Sequence, residues 1–291
     1  MKPFLKWVGG KTQILPNLFN YFPSEINNYH EIFVGGGSVL FHLLDAKAIN
    51  IKGNIYAYDI NESLIYVYKN LQSENREIVI SKINNLIKTY NSINGDDINR
   101  KPDIEASTKS KENYYYYIRS IYNKTNPITL DCSAMFVFLN KACFRGLYRI
   151  GPSGFNVPYG HYKKIEEMDF AQTLLLKRVI FECLPFEESL KRVKPGDFVY
   201  LDPPYAPENK KSFVGYSSKG FNESQHKLLF KLIIEMKPKG IDFVLSNSDV
   251  DLVKTSFVDY FKEIIICKRS INCKNPEAKT NELIISCKPI H

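Results

Sequence analysis

Short apolar runs alternate with amphipathic stretches near both ends of the chain. Residues 31–34 and 54–58 have the length and pattern of strands, and a helical pattern covers residues 38–46 between them. Five further strand candidates follow the middle of the chain: 179–183, 198–201, 241–245, 263–267 and 283–287. A helical pattern at 224–236 lies among them. This alternation predicts an α/β fold with a mixed, mainly parallel sheet.

The middle of the chain has a different pattern. Residues 62–122 look helical, apart from a polar stretch at 91–113 for which we expect an exposed or partly disordered loop. A helix predicted at 132–144 leads into a Gly- and Pro-containing segment, 145–164, that is typical of a hairpin or long turn.

This pattern predicts two domains. Residues 1–61 and 168–291 form the α/β domain, and residues 62–167 form a mostly helical insert. Between positions 140 and 164 there are five basic residues and no acidic one: Lys141, Arg145, Arg149, Lys163 and Lys164. We therefore expect the insert to be the part that meets a polyanion.

The net charge favours a polyanionic partner, and the composition excludes a membrane-spanning protein. The chain has 39 Lys and Arg against 31 Asp and Glu, a net charge of +8. No apolar run is long enough to span a bilayer, and the first residues lack a secretory signal pattern. The six cysteines contain no C-x-x-C pair, so we expect reduced core thiols, no zinc site and an intracellular, soluble protein.

The motif Asp202-Pro203-Pro204-Tyr205 directly follows the strand candidate 198–201. Neither proline has an N–H group to donate, so the chain must leave the sheet there, at the edge where open parallel sheets bind ligands. Asp202 and a proline carbonyl can accept the two N–H groups of a flat substrate's amine, while Tyr205 stacks on its ring. The alternative is an ordinary strand-to-turn exit with a capping Asp.

The glycine-rich turn at residues 35–37 and Asp59 are weaker indications of a ligand site. Gly35 and Gly37 match the start of G-x-G-x-x-G, but Leu40 occupies the third position, so NAD binding is poorly supported. Asp59 ends the next strand, where an acid can hold ribose hydroxyls; together these features favour a nucleoside cofactor over a plain turn and helix cap.

The segment Gly9-Gly10-Lys11-Thr12 resembles a phosphate loop only superficially. Leu5 stands where the first glycine is needed, so we exclude an ATPase. Lys11 and Trp7 remain candidates for contacting a carboxylate and an apolar ligand face. The five histidines have no metal-ligand spacing, and we predict no metal site.

Taken together, six ordered blocks resemble the Dam-type DNA N6-adenine methyltransferases. The blocks are residues 4–11, 33–38, 58–61, 155–164, 202–207 and 269–272. Cofactor motifs come first, then the insert, then the catalytic tetrapeptide, as in that family. The similarity runs from Phe4 to about Ile285, with 91–113 as the main unmatched part.

The resemblance implies a Rossmann-like fold that binds S-adenosylmethionine, with an inserted, mostly helical target-recognition domain carrying a β-hairpin. It assigns catalysis to Asp202, Pro203 and Tyr205. It assigns cofactor binding to Trp7, Lys11, Phe33, Gly35, Asp59 and Asp202. It assigns DNA binding to Lys6, Arg145, Leu147, Arg149, Asn156, Pro158, Lys163 and Lys164. Arg145 stands where some members have Asn.

These assignments predict a site-specific enzyme that methylates a flipped-out adenine in double-stranded DNA, in the site GATC by analogy with close members. Arg149 and Lys6 are the candidates for reading guanines, and Lys163 and Lys164 for contacting phosphates. We expect Leu147, at the hairpin tip, to wedge into the base stack. A restriction endonuclease acting on the same site is a further candidate partner.

Two alternatives remain open. The tetrapeptide also suits an amino methyltransferase acting on RNA adenine or cytosine N4, although the basic hairpin and residues 269–272 weigh against it. A catalytically silent DNA-binding homologue is the other alternative, and the intact Asp202–Tyr205 motif argues against that.

Overall fold

A computed structural model describes residues 2–46, 48–167, 170–207, 221–268 and 279–288 of the chain. The predicted block 269–272 lies outside them. The strands are β1 (Glu25–Ile26), β2 (Tyr29–Glu31), β3 (Asn50–Ile51), β4 (Ile55–Asp59), β5 (Ile150–Gly151), β6 (Gly154–Phe155), β7 (Val179–Cys183), β8 (Phe198–Leu201), β9 (Asp242–Ser248), β10 (Phe261–Lys268) and β11 (Lys279–Ser286).

The helices are α1 (Leu15–Phe19), α2 (Ser38–Asp45), α3 (Glu62–Gln72), α4 (Arg76–Ser92), α5 (Ile104–Ser107), α6 (Lys111–Tyr122), α7 (Leu130–Ala142), α8 (Phe186–Leu190), α9 (Glu223–Ile234) and α10 (Asp251–Ser256). Single 3₁₀ turns occupy Lys11–Gln13, Phe144–Gly146 and Lys237–Lys239, and a longer 3₁₀ segment occupies Ala171–Arg178.

The chain divides into two compact units. Unit 1 comprises Met1–Gly10, Gly35–Phe41 and Asn61–Cys183, and unit 2 comprises Lys11–Val34, His42–Ile60 and Leu184–His291. The predicted functional division, with 62–167 as the target-recognition domain, stays a prediction. In the described ranges no helix combines the length and apolar character that crossing a membrane requires.

Unit 2 contains the sheet that carries the tetrapeptide. Within unit 2, the strands of this sheet lie in the order β10-β11-β9-β8-β2-β4. Strands β9, β8, β2 and β4 are parallel, whereas β11 is antiparallel to both β9 and β10. All four residues of β8 are buried, which explains its unbroken apolar run. The predicted α/β fold with a mixed, mainly parallel sheet is confirmed.

Strand β2 ends earlier than its hydrophobic pattern predicts. The expected range was 31–34, whereas the strand occupies Tyr29–Glu31. The chain remains bonded beyond it, because the Ile32 amide donates to the Tyr200 carbonyl at 3.1 Å and the Val34 amide to the Tyr58 carbonyl at 2.8 Å. The chain therefore stays buried beyond the end of regular strand pairing. For this reason the hydrophobic pattern could not show where the strand ends.

The core of unit 2 encloses a histidine on α9. His226 is fully buried, with Phe221 edge-on at 4.7 Å between ring centroids and Phe230 at 5.8 Å. Burial lowers the pKa of His226 from 6.5 to about 4, because the charged imidazolium is poorly solvated there, although the Glu223 charge opposes the shift.

We predict that His226 makes the protein acid-sensitive. The unfolded chain takes up a proton near pH 6.5 but the folded chain does so only near pH 4. The free energy of unfolding should therefore fall by roughly 3 kcal/mol as the pH drops through this window. His226→Met should reduce this pH dependence of the free energy of unfolding, measured by urea unfolding at several pH values. The exposed His161, changed to Asn, is the matched control and should leave the pH dependence unaltered. An unreduced pH dependence in His226→Met would contradict the prediction.

Unit 1 is mainly helical in its described part. Ten of the 13 residues of α7 are buried, because α3, α4 and α6 all pack against it. The helix begins at Leu130, two residues before the predicted start, since the Thr129 side chain accepts a hydrogen bond from the Cys132 amide at 3.1 Å and caps it.

The polar stretch 91–113 is more ordered than predicted. It contains α5, and the fully buried Asn113 organises the turn before it. The Asn113 side chain accepts from the Asn99 amide at 2.6 Å and donates to the carbonyls of Asp97 and Ala106 at 2.9 Å each. Hydrogen bonds from one polar side chain here replace regular backbone pairing. The hydrophobic pattern of the sequence could not predict this order.

Candidate active site and DNA-recognition face

A buried polar cluster lies at the carboxyl end of β8 in unit 2. It consists of Lys11, Asp202, Tyr205 and Glu282. The Lys11 ammonium lies 2.7 Å from Asp202 Oδ2 and 3.5 Å from Glu282 Oε1, and its side chain is only 3% exposed. The Asp202 side chain is 21% exposed and Tyr205 is half-buried, so the cluster is accessible through these two residues of the tetrapeptide.

Tyr205 completes the cluster. Its hydroxyl donates a short hydrogen bond to Glu282 Oε1, and the Lys11 ammonium lies 4.9 Å from its ring centroid. Asp202 and Tyr205, which the sequence assigned to catalysis, therefore share Lys11 and Glu282 as partners. Pro203 between them is buried, whereas Pro204 is exposed.

Two carboxylates and one ammonium set the electrostatics of this cluster. Burial and the Glu282 charge raise the pKa of Asp202 from 3.8 to about 6, although Lys11 opposes the shift. Burial alone would lower the pKa of Lys11, but the charges of Asp202 and Glu282 raise it above 10.5. Lys11 is therefore a permanent cation, and Asp202 is ionised above about pH 6.

Two residues at the end of β9 hold the loop that follows the tetrapeptide. The Ala206 amide donates to Asn247 Oδ1 at 3.1 Å, and Ser248 Oγ donates to the Ala206 carbonyl at 2.5 Å. Asn247 is fully buried. Sequence reasoning missed both residues; their only indication was a polar ending on an otherwise apolar strand.

Sequence reasoning also missed Glu282. This residue is 8% exposed and lies within β11, which begins at Lys279 and not at the predicted residue 283. A single acid inside a buried strand was the available indication, and the late predicted start of the strand concealed it.

The other cofactor candidates of unit 2 lie at strand ends. Asp59 is the last residue of β4 and is half-buried. Phe33 follows β2, with its ring centroid 6.1 Å from those of both Phe186 and Phe221. A carboxylate at a strand end and a half-buried ring fit a ribose and an adenine, and the excess of carboxylates over ammonium in the cluster fits a cationic sulfonium. These donor types are compatible with S-adenosylmethionine.

In unit 1, Trp7 and Gly35 are in contact. The Trp7 ring stacks on those of Tyr148 and Phe136 at 5.9 and 6.4 Å between centroids. A Cβ placed on Gly35, whose φ is +47°, would lie 2.7 Å from Trp7 Nε1. The space that Gly35 leaves by having no side chain is therefore occupied by the indole of Trp7.

Lys6, a predicted DNA-binding residue, is held in place by Asn140. Its amide donates to Asn140 Oδ1 at 2.9 Å, and Asn140 Nδ2 donates to its carbonyl at 2.7 Å. Gly146 leaves room for its side chain, since a Cβ there would lie 2.3 Å from Lys6 Cβ. The ammonium is exposed above the Tyr162 ring, 4.0 Å from its centroid. Asn140, a residue that the sequence did not single out, thus fixes Lys6.

The predicted hairpin is present as β5 and β6. Across it, Arg149 Nε donates to Asn156 Oδ1 at 2.6 Å, and Arg149 Nη2 donates to the Asn156 carbonyl at 3.2 Å. The two residues therefore form one exposed unit. The other exposed candidates are Arg145, Pro158, Lys163 and Lys164.

The prediction that Leu147 lies at the hairpin tip was wrong. The turn is formed by Pro152 and Ser153, between β5 and β6. Leu147 precedes the hairpin, is half-buried, and lines a small pocket with Phe136 and Tyr148. The sequence could not locate the tip, because two-residue strands leave hardly any periodic pattern.

Arg145 has a strained backbone. Its φ of +56° lies in the left-handed region, which costs a bulky residue roughly 1–2 kcal/mol. Its guanidinium lies 5.3 Å from the ring centroid of the neighbouring Phe144, which is 39% exposed. Strain of this kind persists where the surrounding structure imposes it, often at functional sites.

Comparison with known proteins gives this geometry its context. A family model described as D12 class N6 adenine-specific DNA methyltransferase matches residues 7–271. Type II methyltransferase M.MjaIII of Methanocaldococcus jannaschii is 37% identical, over 98% of this chain and 98% of that protein. The retron Ec67 DNA adenine methylase of Escherichia coli is 31% identical, over 98% and 91% respectively. The DNA adenine methylase of Escherichia coli strain K12 is 27% identical, over 99% and 96%. The chain belongs to the D12 class of N6 adenine-specific DNA methyltransferases.

Proposed function

We propose that this adenine-specific DNA methyltransferase acts on an adenine that is flipped out of a short double-stranded site, GATC. Its methyl donor is S-adenosylmethionine, which when bound supplies an electrophilic methyl group. The observation that carries the proposal is the polar cluster, in which the acid of the tetrapeptide is paired with Lys11, partly exposed and held beside Tyr205.

The chemistry requires a group that localises the adenine N6 lone pair, which is normally delocalised into the ring. Asp202 and the Pro203 carbonyl would accept the two N6 hydrogens, which draws electron density onto nitrogen. This is catalysis by positioning and electrostatics. A base inside a duplex cannot reach such a pocket, so it must be extruded. Stacking on Tyr205 is worth roughly 1–3 kcal/mol, comparable to the cost of extrusion.

Cofactor binding in unit 2 would rest on Asp59 for the ribose hydroxyls and Phe33 for an apolar face. Asp202 and Glu282 would favour the cationic sulfonium by their charge. Lys11 is committed to these two carboxylates, so we assign it to holding Asp202 in place as well as to cofactor binding. The cofactor roles of Trp7 and Gly35 stay predictions.

On unit 1, Lys6 and Arg149 are our candidates for reading guanines, and Asn156 supports Arg149. Lys163 and Lys164 would contact phosphates, and Arg145 and Pro158 would lie against the DNA. For the wedge, Phe144 is a better candidate than the half-buried Leu147, because its ring is large, apolar and 39% exposed.

The decisive experiment uses plasmid DNA from a host that lacks its own adenine methylation. After expression of the protein, direct sequencing of modified bases should report N6-methyladenine in GATC. A different adenine site would refute GATC and leave the reaction standing. Methylated cytosine, or methylation of RNA alone, would refute the proposed function, and no methylation at all would favour the silent DNA-binding homologue.

We predict that Arg149→Ala relaxes site choice. A bidentate contact to guanine contributes roughly 1–3 kcal/mol, so discrimination against sites altered at one guanine should fall roughly 5- to 150-fold. The measurement is the ratio of methylation rates on GATC and single-base variants. The exposed Arg178→Ala, outside the hairpin, is the matched control. An unchanged ratio for Arg149→Ala would remove this residue from base reading.

A restriction endonuclease that cleaves the same site fits this function, since the M. jannaschii relative is called a type II methyltransferase. Methylation by the present chain should then protect DNA from an endonuclease of that specificity.

A further inference from the structure

Glu282 touches both residues that flank the proposed catalytic acid. Its Oε1 accepts the Tyr205 hydroxyl and lies 3.5 Å from the Lys11 ammonium, which in turn lies 2.7 Å from Asp202 Oδ2. Its own side chain is almost fully buried. A buried carboxylate is retained only where its charge is matched, and both of its partners here belong to the cluster.

The sheet holds Glu282 in the same frame as the tetrapeptide loop. In the antiparallel pairing of β11 with β9, Glu282 lies opposite Ser248. Ser248 donates to the carbonyl of Ala206, the residue directly after Tyr205. Backbone pairing therefore places Glu282 opposite the residue whose side chain holds the tetrapeptide loop.

We propose that Glu282 is a positioning residue for methyl transfer, which orients the Tyr205 ring through its hydroxyl and sets the charge balance of Asp202 through Lys11. It acts through these residues and does not itself touch the adenine. The inference rests on the proposed roles of Asp202 and Tyr205.

The charge balance has a measurable consequence. The ionisable groups that face Asp202 are Lys11, Glu282, Tyr205 and Tyr200. Next to burial, which raises the pKa of Asp202 most, the Glu282 charge raises it further and Lys11 lowers it. Removal of the Glu282 charge should therefore lower the pKa of Asp202 from its value of about 6 and extend activity to lower pH.

The test is the single-turnover rate of methylation by the full chain. It is measured with saturating DNA and S-adenosylmethionine at a series of pH values from about 5 to 8.5. Glu282→Gln keeps an oxygen that can accept from Tyr205 but loses the charge. We expect its rate at the plateau to fall roughly 10-fold, because a neutral amide oxygen holds the Tyr205 hydroxyl less strongly than a carboxylate does. We expect its acid limb to move down by roughly one pH unit.

Two further variants separate the two routes. In a Tyr205→Phe background the hydroxyl is absent, so Glu282→Gln should cost little additional rate and still shift the acid limb. Glu282→Asp keeps the charge on a shorter side chain, so its rate should fall while the limb stays near pH 6. Tyr21 and Glu263, 2.6 Å apart on another part of unit 2, form a matched tyrosine–glutamate pair, and Glu263→Gln should change neither quantity.

The outcomes are distinguishable. A wild-type rate and acid limb in Glu282→Gln would overturn the inference. So would a rate loss that is equal at every pH and additive with Tyr205→Phe, because a purely structural defect behaves in this way. Failure of the proposed function is a separate result, namely no adenine methylation by the wild type or full activity of an Asp202 variant.

Discussion

Asp202→Ala should reduce methyl transfer by about 1,000-fold or more while DNA binding survives. Removal of a single preorganised electrostatic group typically costs 100- to 1,000-fold, and we expect Asp202 to lie at the upper end because it acts on the reacting nitrogen itself. The fold should tolerate the change, because Lys11 keeps Glu282 as a partner at 3.5 Å and no buried charge is left alone.

The measurement is transfer of a radiolabelled methyl group to DNA, with DNA affinity determined in parallel. Asp242→Ala is the matched control. It removes an aspartate from the same sheet, one that pairs with Lys288 at 2.5 Å at the surface, and should leave the rate unchanged. If Asp202→Ala methylated DNA at a rate near that of the wild type, the catalytic assignment would be lost.

Lys11→Met should destabilise the fold and impair the reaction together. It leaves Asp202 and Glu282 as two neighbouring carboxylates without their cation. Breaking a buried ion pair in this way costs roughly 3–5 kcal/mol, and the partial exposure of Asp202 places our expectation near 3 kcal/mol. The comparison is urea unfolding of the two proteins at pH 7.5.

The stability loss in Lys11→Met should depend on pH. Without Lys11, the pKa of Asp202 should rise further above its unfolded value of 3.8, so the folded variant binds a proton that the unfolded chain does not. The stability deficit of Lys11→Met should therefore be largest near neutral pH and shrink as the pH falls. For the same reason, the acid limb of its residual activity should move to higher pH.

A surface ion pair provides the control for this prediction. Lys52 and Glu25 lie 2.5 Å apart, but their side chains are 53% and 59% exposed. Solvent-exposed pairs contribute only about 0–1 kcal/mol, so Lys52→Met should change stability little and activity not at all. If the Lys11 and Lys52 variants were equally stable, burial of the Lys11 pair would not matter as we infer.

The sequence determined the fold class and the position of the proposed catalytic acid in the fold. Two adjacent prolines after a fully apolar run must end a buried strand, because they lack the N–H groups that a ladder requires, and Asp202 accordingly follows β8 at the carboxyl edge of the sheet. The basic hairpin could be located in the same way, although its two-residue strands left Leu147 misplaced. Both predictions depend only on residues that are close together in the sequence, so no knowledge of the tertiary structure was needed.

The tertiary structure alone decided which side chains meet. Glu282 reaches Tyr205 because β11 pairs antiparallel with β9, and Asn140 holds Lys6 because α7 packs beside the N-terminal segment. In each case a polar side chain inside a buried element finds a partner that is distant in the sequence. Register and packing fix such contacts, and hydrophobic periodicity records only that a position is buried, not what it faces there.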